Sequence, residues 1–175
     1  MMQQTISKLD AVRAQLDAAI EIYFTHDNLI AVHTLTAAAY NILRDIALKN
    51  GTKHPFIKRT FVDEYPEQKR KIIKDFINYP ENFLKHADRD LDISITLDPQ
   101  LTEILLMDAL AYFRDKNESK PLYYEVFKAW CGIPSEDLDE RTKVLTETFM
   151  MISRSGGKQE FWNLMKKSNQ PNRSG

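Results

Sequence analysis

Leu29-Ile-Ala-Val-His33-Thr-Leu-Thr-Ala-Ala-Ala-Tyr40-Asn-Ile-Leu-Arg44-Asp-Ile-Ala-Leu-Lys49-Asn50 sets the architecture of this chain. Its apolar residues, Leu29, Ile30, Val32, Leu35, Ala37–Ala39, Ile42, Leu43, Ile46 and Leu48, occupy more than one side of a helix. A helix apolar over more than one face belongs at the centre of a helical protein. Asp27 or Asn28 supplies a capping side chain at its start, and Asn50-Gly51 ends it. The three consecutive alanines leave room for a neighbouring helix to approach closely.

Reading outward, residues 3–24 carry Ile6, Leu9, Val12, Leu16, Ile20 and Phe24 at three- and four-residue steps, which predicts an amphipathic helix. Residues 51–63 read as a loop around His54-Pro55. A third helix follows near Tyr65-Pro66, with Ile72, Ile73, Phe76 and Ile77 facing inward and Pro80 breaking or kinking it. A short fourth helix is expected from Pro80 to His86, capped by Asn78 or Tyr79. Asp88 to Pro99 is a polar connection in which Ile93, Ile95 and Leu97 alternate with polar residues, suggesting a brief extended segment.

Asp98-Pro99 is a strong helix start, with a capping carboxylate followed by proline in the first turn. The helix it opens runs through Leu101, Leu105, Leu110 and Tyr112 and is central too. Pro121 opens a short helix ending at Cys131-Gly132, residues 135–154 form another, and Phe161, Trp162, Leu164 and Met165 predict a last one. The expected architecture is all-α: a single-domain antiparallel bundle of about five to seven helices over residues 1–167, with a flexible tail at 168–175. Five glycines, none inside an apolar periodic run, suit such a chain, because glycine costs stability within helices and helps end them.

Acidic and basic residues nearly cancel, at a net charge of −1, so bulk charge gives no argument for nucleic-acid binding. The distribution is uneven: residues 49–74 carry eight Lys/Arg against three acids, and 88–118 eight acids against three Lys/Arg. Lys53, Lys58, Arg59, Arg70, Lys71 and Lys74 form either a basic patch or a solvated helix surface. Cys131 is the only cysteine, which excludes an intrachain disulfide and a cysteine-based metal knuckle. The N-terminus does not read as a secretion signal and no segment approaches a membrane span, so the expected location is cytoplasmic.

Two groups of polar residues stand out. His33, Tyr40 and Arg44 share one stripe of the central helix, with Ala37 between them, because steps of four, three and four keep nearly the same angle. Buried polar groups need partners, and Asp108, which interrupts the apolar run of the other central helix, can pair with Arg44 or His33. The second group is Asn82-Phe-Leu-Lys85-His86-Ala-Asp88-Arg89-Asp90, at an expected helix end. There His86 is either an acid, base or ligand oriented by Asp88, or a cation near its own helix C-terminus. Lys85 and Arg89 can hold a phosphate beside it.

A divalent metal held by His33, His86 and Asp88 or Asp108 is chemically adequate, but no H-E-x-x-H or paired E-x-x-H spacing supports it, and the expected site holds no metal or cofactor. His26 and His54 lie in turns. Glycine-rich phosphate loops and a Gly-x-Ser-x-Gly elbow are absent. Tyr123, Tyr124, Phe127 and Trp130 suit base stacking, and more simply suit packing. Met150-Met151 likewise reads as packing.

In outline over residues 3–150, the helical organisation and the Asn82…His86 element near a helix end resemble the HEPN superfamily of small helical bundles. Many HEPN members share an Arg-Asn-x-x-x-His motif, and the active ones are metal-independent endoribonucleases, often dimers in toxin–antitoxin or defence systems. Asn82 and His86 match the amide and histidine of that motif, whereas Glu81 stands where the pattern has the phosphate-binding Arg. The resemblance implies His86 as general base or acid in attack by an RNA 2′-OH, and Asn82 as the group positioning it. Lys85, Arg89 or Arg44 would replace the missing arginine. It equally fits a noncatalytic member of the superfamily. The expected partners are RNA or a nucleotide, or a separately encoded protein, and the expected state is a homodimer. A noncatalytic scaffold or protein-interaction module is the competing class.

Overall fold

Side-chain caps set the main helix boundaries. The first helix, α1 (Lys8–Thr25), begins where Ser7 and Asp10 close a capping box: Asp10 N–H donates to Ser7 Oγ at 3.1 Å and Ser7 N–H to the Asp10 carboxylate at 2.9 Å. The helix therefore starts five residues later than the expected residue 3, and Ile6 lies outside it, exposed. Asn28 caps α2 (Leu29–Lys49) by accepting from Ala31 N–H at 3.0 Å. Gly51 follows with a φ of +63°, a conformation costly for any residue with a Cβ.

The computed structural model describes residues 3–52, 57–86, 91–116, 124–133, 151 and 155–168, and among these all regular structure is helical. The remaining elements are α3 (Ile57–Asp63), α4 (Glu67–Lys85), α5 (Pro99–Lys116), α6 (Tyr124–Trp130) and α7 (Lys158–Ser168). The helix expected over 135–154 lies outside the described residues apart from helical Met151, as do Lys53, His54, Asp88, Arg89, Tyr123, Met150 and the tail beyond 168.

α2 is central, as its apolar surface requires. It packs on α1, α5 and α4. Val12, Leu16 and Ile20 of α1, Val32, Ala39, Tyr40 and Leu43 of α2, and Leu105, Leu106, Leu110 and Phe113 of α5 form one buried cluster. Ala37 and Ala39 are fully buried, the close approach that small side chains permit. At one end of this cluster Phe24 stacks on Phe161 and Trp162, with ring centroids 5.8 and 5.3 Å apart, and meets Trp130 edge-on at 5.6 Å. These contacts dock α6 and α7 on α1.

Three expectations are corrected. The stretch 51–63 contains α3, which packs on α4. α4 runs unbroken through Pro80, so no separate helix starts at Asn78 or Tyr79. Pro80 is buried, and the packing around it tolerates the lost backbone hydrogen bond that would break an isolated helix. Finally, Ile77 is buried, but Ile72 and Phe76 face solvent, each 69% exposed. The apolar face of α4 is wider than the surface its neighbours cover. Residues 93–98 form no strand; a strand needs a paired neighbour, and none exists among the described residues.

Candidate functional site

A polar seam crosses the centre of the molecule, built by α2, α3, α4 and α5. Its core is the Glu81 carboxylate of α4, with side-chain exposure of only 9%. Lys58 Nζ of α3 donates to Glu81 Oε2 at 2.7 Å, and Lys85 Nζ donates to Oε1 at 2.5 Å from the next turn of α4. Asn41 Nδ2 of α2 also donates to Oε1. Burial pushes the Glu81 carboxyl up, but the hydrogen bonds and charges of Lys58 and Lys85 outweigh it and hold the group at about 2. Burial pushes the Lys58 ammonium down, opposed by Glu81.

Tyr40 and Asp108 continue the seam by tying down the start of α3. Lys58 N–H donates to Tyr40 Oη at 3.2 Å, and Ile57 N–H donates to Asp108 Oδ2 at 2.9 Å. These are two of the orphan N–H groups at a helix start, satisfied by side chains. The Lys58 ammonium also lies 5.2 Å from the centre of the Tyr40 ring. Burial, and then the charge of Asp108, raise the Tyr40 phenol far above its ordinary range, so it stays protonated. Asp108 therefore partners the α3 backbone. His33 pairs instead with Thr102, at 2.8 Å from Nδ1 to Oγ1, and Arg44 with its neighbour Asp45, at 2.9 Å.

His33 is fully buried, and its Nε2 has no hydrogen-bond partner among the described residues. Burial, and secondarily the Lys58 charge, lower its pKa below the ordinary 6.5. A histidine held neutral in the fold and free to protonate when unfolded removes stability as pH falls below 6.5. Urea midpoints should therefore fall between pH 7.5 and pH 5.5, and His33→Gln should flatten that slope. An unchanged slope in the variant would count against this role for His33.

His86 and Asn82 stand apart from the seam. Both are exposed. His86 ends α4 as its C-cap, its N–H donating to the Asn82 carbonyl at 3.0 Å. Lys85 is drawn toward Glu81. Among the described basic residues of 49–74, Lys58 is buried on Glu81 and Arg70 donates to the carbonyls of Tyr65 and Asp63, while Lys71 and Lys74 are exposed.

The exposed face of α4 includes Ile72 and Phe76, which its apolar periodicity places inward. Ile72, Phe76, Tyr79 and Phe83 recur at steps of four, three and four, a single stripe. Phe76 is 69% and Tyr79 46% exposed, and the Tyr79 and Phe83 rings lie 6.4 Å apart. Asn82 and His86 follow Tyr79 by three and seven residues, so they flank the same stripe. From residue 72 to 86 it is about 21 Å long at ~1.5 Å per residue. The width of the apolar face was visible in the sequence; which part of it the neighbours would cover was not.

No group of three or more potential metal ligands occurs among the described residues, and none of their helices is long and apolar enough to cross a membrane. No protein-family model matches the chain, and no curated protein or solved structure matches it.

Proposed function

We propose that this protein binds single-stranded RNA along the exposed face of α4. The observation that carries the reading is two aromatic rings, Phe76 and Tyr79, left in solvent on the stripe that Asn82 and His86 flank. Unpaired bases stack on exposed aromatic rings, an amide can hydrogen-bond a base edge, and lysines along the helix attract the backbone. Lys69 and Lys71 are exposed on α4 to either side of the stripe. In the catalytic form of this reading, which rests on the HEPN resemblance, His86 takes the 2′-OH proton as that oxygen attacks the adjacent phosphorus, and the 5′-oxygen leaves with a proton from solvent water. Lys85 is committed to Glu81, so the described residues supply binding more completely than phosphate activation.

Fluorescence anisotropy of a labelled 12-nucleotide oligouridylate tests binding. Affinity should fall as salt rises, because basic side chains displace counterions from the strand. Phe76→Ala and Tyr79→Ala should each weaken binding by about 1–3 kcal/mol, roughly 5- to 150-fold. Both side chains are exposed, so the variants should retain the native circular dichroism spectrum. Absence of binding at 50 mM salt, or equal affinity in the alanine variants, would overturn the reading. Sedimentation of the same samples separates the alternative in which a second copy of the chain covers the stripe. Cleavage of RNA but not DNA, lost in His86→Ala, would add catalysis.

A further inference from the structure

A second surface feature lies away from the α4 stripe. An open cleft of about 610 Å³ runs along α5, between the start of α3 and the end of α6. That volume falls within the range of small-molecule sites. Ile104, Met107 and Ala111 form its floor, at steps of three and four on one face of α5. Glu103 and Asp108 border this strip on opposite sides. Ile57 stands on the Asp108 side, and Trp130 and Cys131 complete the lining. None of the described lining residues is Lys or Arg.

The Glu103 wall is organised by a hydrogen-bond chain of fixed direction. An indole N–H can only donate, so Trp130 Nε1 donates to Tyr23 Oη at 2.8 Å. The Tyr23 hydroxyl in turn donates to Glu103 Oε1 at 2.5 Å. Burial, and then the hydrogen bond to Glu103, raise the Tyr23 phenol far above its usual range, so it remains a donor. The chain ends in a half-buried carboxylate that no Lys, Arg or His pairs among the described residues. Oriented negative charge beside an apolar floor favours a ligand that is cationic at one end and apolar along its body.

We propose that the α5 cleft binds a primary organic amine, its ammonium against Glu103 and its hydrocarbon body on Ile104, Met107 and Ala111. The reading is independent of RNA binding by α4. Calorimetry of the full chain with phenethylamine, 2-phenylethanol and 3-phenylpropionate isolates the charge, since the three share an apolar body. Phenethylamine should bind with a Kd below about 1 mM, at least about tenfold tighter than the alcohol, with no detectable binding of the acid; tenfold corresponds to ~1.4 kcal/mol. Glu103→Gln keeps an acceptor for Tyr23 and removes the charge, so it should abolish the preference for the amine while leaving the alcohol unaffected. Ile104→Arg, at an exposed position, should block both by placing a cation on the floor. Equal binding of amine and alcohol, no amine binding, or an unchanged preference in Glu103→Gln overturns the proposal. The melting temperature of each variant confirms that a loss is not unfolding.

Discussion

Replacing Glu81 with leucine should cost about 3–5 kcal/mol of folding stability, the usual consequence of removing one partner from a buried ion pair. The loss comes chiefly from Lys58, whose ammonium would stay buried with a side-chain exposure of 5% and no carboxylate beside it. Removal of both charges should behave differently. The double variant Lys58→Met, Glu81→Leu leaves neither of the paired charges, and should recover most of the stability lost by Glu81→Leu alone. Chemical denaturation of the two single variants and the double variant measures this coupling. Additive losses would show that the pair is not the reason Glu81 matters. Acid should reach the same interaction. With its carboxyl held at about 2 against an ordinary 4.5, Glu81 contributes stability that is complete above pH 4.5 and is lost as pH falls towards 2. His33 acts at higher pH and in the same direction, so the protein should weaken in two stages on acidification, with the upper stage absent in His33→Gln.

Phe24→Ala should cost about 3–5 kcal/mol, the range for truncating a buried aromatic side chain. Phe24 is 2% exposed and touches the rings of Tyr23, Phe127, Trp130, Phe161 and Trp162. These rings belong to α1, α6 and α7, so the cavity would open where three helices meet. Phe24→Leu should cost less, because much of the apolar volume remains. Thermal melts followed by tryptophan fluorescence check both, since Trp130 and Trp162 border the cavity. A loss below about 1 kcal/mol in Phe24→Ala would mean that α6 and α7 close over the gap.

Both predictions concern contacts between residues far apart in the chain, and that separates what the sequence determined from what it did not. Local signals along the chain suffice for the helical class, the central place of α2 and α5, and the ends marked by Asn28, Gly51 and Asp98-Pro99. Those signals act within one or two turns: Asn28 reaches Ala31, and Asp98 accepts from Gln100 N–H at 2.9 Å. At the start of α1 the Ser7–Asp10 box, itself a local signal, overrides an apolar period that begins earlier. The burial of Lys58, by contrast, depends on how the helices pack. A lysine reads as solvated until a carboxylate 23 residues away is brought within 2.7 Å. Helix packing also decided that α4 would continue through Pro80, and that Phe76 and Tyr79 would remain in solvent. Periodicity shows that a helix has an apolar face, but how much of that face is covered depends on where the neighbouring helices lie.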